Sequence, residues 1–319
     1  MFYELLKIPA KFAIRLYCRN IKITNKAILK SAGPLLIASN HPNSFLDAII
    51  LATLFDKPVY SLTRGDTFKK RSVAYLLNLL NMLPVYRMSE GAENLEENYR
   101  TFAKCKEIFR ENGIVLIFSE GRCINEWKLR PLKKGTARLA ISSWQDKIDL
   151  KIIPAALNYQ SFTSFGKNIQ LNFGNIIGEE DIRITNGYGN SINDFNDKLK
   201  AELKKVTIEI GSNDKQAVQK EFGVAQSLAK KITLFLPAFF GFLIHAPLYI
   251  PVRKLSWKKA RHLDHYDSVM VGLLFILYPF YLILIALIVY LCIGSYWWAF
   301  TFLVLPFCAW SFIQIKKQF

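Results

Sequence analysis

Acidic side chains are the scarce class in this chain of 319 residues: 25 Asp and Glu face 42 Lys and Arg, a formal charge of +17. The five cysteines (Cys18, Cys105, Cys123, Cys292, Cys308) form no CxxC pair and no Cys/His cluster. Their scatter excludes a disulfide framework and a zinc site and fits a reducing, cytoplasm-facing setting. Gly (16) and Pro (12) are at ordinary levels, which excludes collagen-like and low-complexity classes. There is no internal repeat. A signal-peptide pattern is missing because Lys7, Lys11, Arg15 and Arg19 interrupt the N-terminal apolar residues. No GxSxG elbow occurs and no Cys is recognisable beside a candidate base, so a covalent intermediate on a protein nucleophile is disfavoured. The basic residues do not interleave with aromatics as a nucleic-acid platform requires, and no nucleic-acid partner is expected. His245, His262 and His265 lack metal-ligand spacing, so no metal is expected and packing explains them better. Gly187-Tyr188-Gly189 is too short for a dinucleotide fingerprint and reads as a turn.

What is abundant is apolar: 51% of the residues are hydrophobic and 14% aromatic. High apolar content combined with a large positive charge points to anionic lipid rather than to a soluble basic protein. No Asp, Glu, Lys or Arg occurs between Asp267 and Lys316. At roughly 20 residues per span that stretch predicts two transmembrane helices, 269–293 and 296–315, broken at Gly294–Ser295. Trp297, Trp298 and Trp310 suit interfacial belts, and basic residues at both outer ends predict a hairpin with both ends cytoplasmic. The segment 232–252 holds Pro237, Pro247 and Pro251 with basic flanks on both sides. Those charges favour a re-entrant or interfacial helix pair broken near Gly241 over a single crossing. Residues 1–29 are expected to form an amphipathic helix in the headgroup plane, with Lys7, Lys11, Arg15 and Arg19 as its basic stripe.

Between these lies a soluble α/β unit over residues 30–210, the remainder (211–319) being the membrane region. Short apolar runs predict strands at Pro34–Ala38, Pro58–Leu62, Ile114–Phe118, Ile152–Ala156 and Ile169–Phe173. Helical patterns fall at 45–55, 70–81, 92–112 and 134–143, so the sheet should be covered on both faces.

The densest chemistry lies in Ser39-Asn40-His41-Pro42-Asn43-Ser44-Phe45-Leu46-Asp47, where a strand gives way to a helix. Asn43 or Ser44 is suited to cap that helix, placing Asp47 in its first turn. His41 and Asp47 would not share a face of one continuous helix, but a turn at Pro42–Asn43 folds the imidazole back onto the carboxylate. Such a carboxylate fixes the tautomer and leaves the other ring nitrogen free as a general base. A helix-capping histidine with no chemistry is the alternative for this block alone.

Three later blocks accompany it: Leu83-Pro84-Val85-Tyr86-Arg87, Phe118-Ser119-Glu120-Gly121-Arg122 and Ile152-Ile153-Pro154-Ala155, with Lys133-Lys134-Gly135-Thr136-Ala137-Arg138 after the third block of the series. In order and spacing the four blocks resemble those of the glycerolipid acyltransferase family, over roughly residues 30–210. The resemblance implies a mixed sheet flanked by helices, with the C-terminal membrane helices added to it. It makes His41 the catalytic base and Asp47 its orienting partner, and it puts Asn40 with the substrate-binding residues. Arg87 would hold an acceptor phosphate; Glu120 and Gly121 would shape the acceptor site, with Arg122 near the phosphate; Pro154 would line the donor side. Lys128, Arg130, Lys133 and Lys134 could add to the phosphate field or contact the donor, or form a solvated basic face. Two departures stand out. Five residues separate His41 from Asp47 where the family usually has four, and Arg122 directly follows Gly121 where the family usually has Thr between them.

The implied activity is transfer of a fatty acyl group from acyl-CoA or acyl-carrier protein to 1-acyl-glycerol-3-phosphate, giving phosphatidic acid, with no cofactor beyond the thioester co-substrate. Glycerol-3-phosphate or a phosphate-free lysolipid stays open as acceptor, and so does a non-catalytic lipid-binding protein of the same fold. The expected partners are membrane lipid and the thioester carrier, and the expected location is an integral membrane protein with its catalytic domain on the cytoplasmic face.

Overall fold

The computed structural model describes residues 2–86, 94–183, 187–211, 214–294 and 296–319. Seven strands form one mixed sheet: β1 (Cys18–Ile23), β2 (Leu35–Ser39), β3 (Val59–Arg64), β4 (Met82–Val85), β5 (Ile114–Phe118), β6 (Lys151–Tyr159) and β7 (Lys167–Phe173). Their order across the sheet is β1-β7-β6-β2-β5-β3-β4. All neighbours run parallel except β6 and β7, which are antiparallel. Every residue of β2 is buried, as expected of a central strand covered on both faces. β1 and β4, the two outermost strands, were not recognisable as apolar runs: β1 alternates with Arg19, Asn20 and Lys22, and β4 is four residues long with Pro84 inside. Pro is tolerated there because an outermost strand has one row of N–H groups without a ladder partner.

Helices α1 (Phe2–Tyr17), α2 (Phe45–Leu54), α3 (Arg71–Leu79), α4 (Asn94–Arg110), α5 (Gly135–Gln145), α6 (Tyr188–Val206) and α7 (Lys215–Phe222) surround the sheet. One face, carrying Leu36, Ala38 and Ile152, packs against Phe109 of α4, Trp144 of α5 and Phe195 of α6. The other face, with Ile37, Leu116 and Leu171, packs against α1 and α2. Gly187-Tyr188-Gly189 is not a free turn: Gly187, with φ 89°, precedes α6 and the other two residues open it.

The C-terminal part consists of α8 (Leu228–Ala260), α9 (Tyr266–Ile293), a short 3-10 turn at Tyr296–Phe300 and α10 (Thr301–Ile315). All three, with the 3-10 turn counted into the last, are long and apolar enough to cross a membrane. These helices share the sheet's core: Val252 of α8 and Tyr266, Met270 and Val271 of α9 belong to the same buried cluster as Ile14, Ile37 and Leu46. The expected break near Gly241 does not occur, since α8 runs continuously for 33 residues. Gly241 instead lets α10 come close; a Cβ there would lie 2.1 Å from the Cys308 carbonyl oxygen. An apolar cavity of about 430 Å³ lies among α1, α8, α9 and α10, with Phe12, Tyr17, Leu248 and Phe275 in its wall. His245 faces it fully bonded, with Nδ1 to Gly241 O (2.8 Å) and Nε2 to Tyr278 OH (3.1 Å).

α1 carries three faces. Ile14 and Tyr17 are buried, Lys11 and Arg15 are exposed, and Phe2, Leu5, Ile8 and Phe12 form an exposed apolar strip beside the charges. Arg19 is not part of the stripe. It sits on β1, buried, and donates from Nε to Ile313 O (2.9 Å) and from Nη2 to Lys316 O (2.6 Å). Because the atom facing Gly241 is main chain and cannot swing away, Gly241→Ala is expected to lower stability by about 1–3 kcal/mol, the cost of overpacking. A thermal midpoint in lipid equal to wild type would show that α8 and α10 do not meet there.

Candidate active site

The parallel strands β2 and β5 end level, Ser39 opposite Phe118, and the parallel neighbour β6 runs on to Tyr159; the carboxyl-end edge they form is the usual place for chemistry in an open α/β sheet. Beyond Ser39, the Asn40 side chain continues the β2–β6 ladder. Its Nδ2 donates to Leu157 O (3.1 Å) and its Oδ1 accepts from Leu157 N (2.8 Å). The amide expected among substrate contacts is therefore engaged with backbone. The chain then turns through His41, Pro42, Asn43 and Ser44 and enters α2.

Neither Asn43 nor Ser44 caps α2 with its side chain. Asp47, in the first turn and wholly buried, reaches back instead: its Oδ2 accepts from the Asn43 backbone N–H (2.8 Å). The same oxygen meets His41 Nδ1 at 2.9 Å, and Oδ1 accepts from Tyr159 OH (2.6 Å). An ionised carboxylate only accepts, so the contact assigns the proton to Nδ1 and leaves a lone pair on Nε2. Among the described residues no group bonds to Nε2. Phe118, at the end of β5, stacks on the imidazole with ring centroids 3.8 Å apart. Tyr159 is a donor throughout, because burial, and then the Asp47 charge, push its pKa well above the ordinary phenol value.

Glu120 follows β5 and is buried. Its Oε2 accepts from His41 N (2.9 Å) and its Oε1 from Arg130 N (2.8 Å). Its work is to tie the histidine turn to the basic loop. Burial raises its pKa, against the two N–H donors and the nearby Arg130. Gly121 has φ 71°, and a Cβ there would meet Lys133 Cγ at 2.9 Å, so the tight turn requires glycine. The loop then presents Arg122, Lys128, Lys133 and Lys134 to solvent, with Lys134 at the start of α5. Arg130 is half-buried and paired with Glu126 (3.2 Å). Pro154 is buried within β6, its carbonyl accepting from Gly174 N (2.9 Å), and it makes no hydrogen bond to the His–Asp pair. Arg87 lies outside the described residues.

Sequence reasoning missed three neighbours. Tyr159 is 112 positions from Asp47, and only folding brings them together. Phe118 was read as a strand residue without its ring partner. Cys123 stands beside the turn after all, its Sγ accepting from Ser44 N (2.9 Å). Burial and the Asp47 charge raise its pKa, which works against the thiolate that a nucleophile requires.

Residues 20–158 match the family model described as Acyltransferase, so this segment is an acyltransferase domain. No curated protein sequence matches the chain significantly. Among solved structures, the chain is similar to the 1-acyl-sn-glycerophosphate (LPA) acyltransferase PlsC from Thermotoga maritima. That likeness has a TM-score of 0.44 and 14% identity, and it covers 63% of this chain and 77% of that one.

A carboxyl group whose pKa is raised in the fold holds its proton more tightly folded than unfolded. The contribution of Glu120 to stability is therefore present at acid pH and lost as pH climbs from the ordinary carboxylate value through the raised one. Glu120→Gln cannot titrate, so the stability advantage of wild type over this variant should shrink as pH rises from about 4, the ordinary carboxylate range, towards neutrality. Thermal midpoints measured across that range check it; an advantage that grows with pH would contradict the sign.

Proposed function

We propose that the protein is a membrane-bound O-acyltransferase that moves a fatty acyl group from an acyl thioester to the free hydroxyl of 1-acyl-glycerol-3-phosphate, giving phosphatidic acid. The observation that carries this reading is the 2.9 Å contact of His41 Nδ1 with the buried Asp47, which leaves Nε2 as a base at the mouth of an acyltransferase domain. In this reading Nε2 takes the proton of the acceptor hydroxyl as its oxygen attacks the thioester carbonyl carbon. Asp47 stabilises the imidazolium that forms. The tetrahedral intermediate collapses with cleavage of the C–S bond, and the imidazolium returns the proton to the departing thiolate. An ester and a free thiol result, with no net proton consumed.

The solvent-facing Arg122, Lys128, Lys133 and Lys134 supply positive charge beside the turn that holds His41. They suit the acceptor's phosphate or the phosphates of a CoA donor, and an acidic acyl-carrier protein would be drawn by the same field. Arg87 keeps in this proposal the phosphate role that the resemblance gives it.

The positions of the helix ends support a membrane arrangement. α9 leaves the domain at buried Tyr266 and Met270, and α10 returns to it at buried Ile313 and Gln314, whereas Ile293, Tyr296 and Trp297 are exposed at the far turn. This supports a hairpin with both ends on the catalytic side. Both ends of α8 also meet the domain side: Lys230 Nζ bonds Gln314 Oε1 (2.7 Å), while Val252 and Ala260 are buried at the other end. With basic residues at each end, an interfacial α8 fits better than a crossing one. A lysolipid acceptor would then reach His41 from the bilayer surface.

The test is an assay of the purified protein in anionic vesicles with radiolabelled acyl thioester, offering 1-acyl-glycerol-3-phosphate, glycerol-3-phosphate and phosphate-free lysolipids in competition. Labelled phosphatidic acid is the expected main product. His41→Ala should lose roughly 10²–10⁴-fold in turnover while remaining folded and membrane-bound. Wild-type protein that acylates none of the acceptors, or a His41→Ala variant at wild-type rate, would overturn the reading.

A further inference from the structure

An apolar membrane helix has no need of a carboxylate, yet Asp267 stands in the first turn of α9 and is wholly buried. Three donors converge on it. Lys167 of β7, itself wholly buried, forms an ion pair with Oδ2; Asn43 Nδ2 donates to the same oxygen (2.6 Å); and Tyr17 OH, at the end of α1, donates to Oδ1 (2.5 Å). Neutralising one lysine does not call for a contact to Asn43. That contact is informative because Asn43 also gives its backbone N–H to Asp47 Oδ2, the atom that holds His41. One residue is thus gripped from two sides, by the carboxylate of the His–Asp pair and by the carboxylate of the membrane helix.

The turn needs such a grip. Ser44, the next residue, has φ 52° and ψ −135°, a costly conformation for a side chain with a Cβ, which persists only where the surroundings impose it. The segment leading into α9 touches the same turn a second time. The Asp264 carbonyl lies 3.4 Å from Asn125 Nδ2, which donates to Pro42 O (2.7 Å), and 3.5 Å from Cys123 Sγ, which accepts from Ser44 N.

We propose that Asp267 is a positioning residue for the His41–Asp47 pair: acting through Asn43, it makes the geometry of the base depend on how the membrane helix α9 is seated against the catalytic domain. The proposal deepens the acyltransferase reading and rests on it for the kinetic part of its test, while a spectroscopic part stands apart from activity.

The experiment uses the full chain in lipid nanodiscs. Asn43→Ala cuts the link and leaves the Lys167–Asp267 pair in place. The double variant Lys167→Met/Asp267→Leu removes the buried pair without stranding a charge, a replacement that folded proteins commonly tolerate. Each should lower kcat on the order of 10²-fold, the cost of a misplacement of about 1 Å, with the thioester KM within about twofold of wild type. Adding Asn43→Ala to the double variant should cost little more, because both changes break one link. With ¹⁵N-labelled histidine, only four rings contribute, and the His41 Nδ1–H signal should be fixed in wild type and averaged in both variants. A folded double variant with wild-type kcat, or additive losses, or an unchanged His41 signal would overturn the proposal. If the double variant does not fold, Asn43→Ala at wild-type kcat and with an unaltered His41 signal would do so alone. Should no acceptor be acylated by wild type, the ring signal still decides the positioning, and only the functional reading falls.

Discussion

The site depends on one buried carboxylate surrounded by donors. Asp47 is removed from water and would be costly there as an ion if unpaired. It is kept by the His41 ring, the Asn43 backbone and the Tyr159 hydroxyl, which come from a turn, a loop backbone and a distant strand. Each needs the sheet in its observed register: Ser39 is level with Phe118, so β2 and β5 end together, while β6 runs past Ala155 and brings Tyr159 to Asp47. Loss of that alignment would separate Tyr159, Glu120 and His41 at once.

Local pattern carried much of this. The apolar runs marked five strands within a few residues, and the four helical patterns of the soluble unit correspond to α2, α3, α4 and α5. The fold-back of His41 onto Asp47 was also readable, because Pro42 breaks the chain between an apolar strand and an apolar helix. What could not be read is what distance in sequence conceals. β1 is polar on alternate positions and becomes a strand by pairing with β7, some 150 residues away. Arg19 has helical spacing with Lys7, Lys11 and Arg15, yet its guanidinium serves carbonyls at the end of α10. Glu120 and Asn40 look like ligand-binding side chains in one dimension, and in three they are held by backbone groups. The proline-rich stretch of α8 suggested interruption, but packing against α9 and α10 sustains the helix through Gly241.

The long C-terminal helices are not a tether on an independent domain. Val252, Met270 and Val271 belong to the same buried cluster as the central strands. Buried apolar area of this kind stabilises by about 25 cal/mol per Å², so these helices contribute to the stability of the sheet domain. The exposed apolar strip of α1 and its flanking Lys11 and Arg15 lie beside that assembly. The long apolar helices and the sheet core thus share one continuous body of side chains, and the histidine turn touches both.

The last residues of α10 also have a protective part. Among the described residues β1 lies at the rim of the sheet and pairs with β7 alone, while Gln314 Nε2 donates to the Arg19 carbonyl (3.2 Å) and Arg19 holds the α10 terminus in return. Peeling α10 away would free that carbonyl on an outermost strand, and unpaired main-chain groups along such a strand are the template from which strand-to-strand self-association begins.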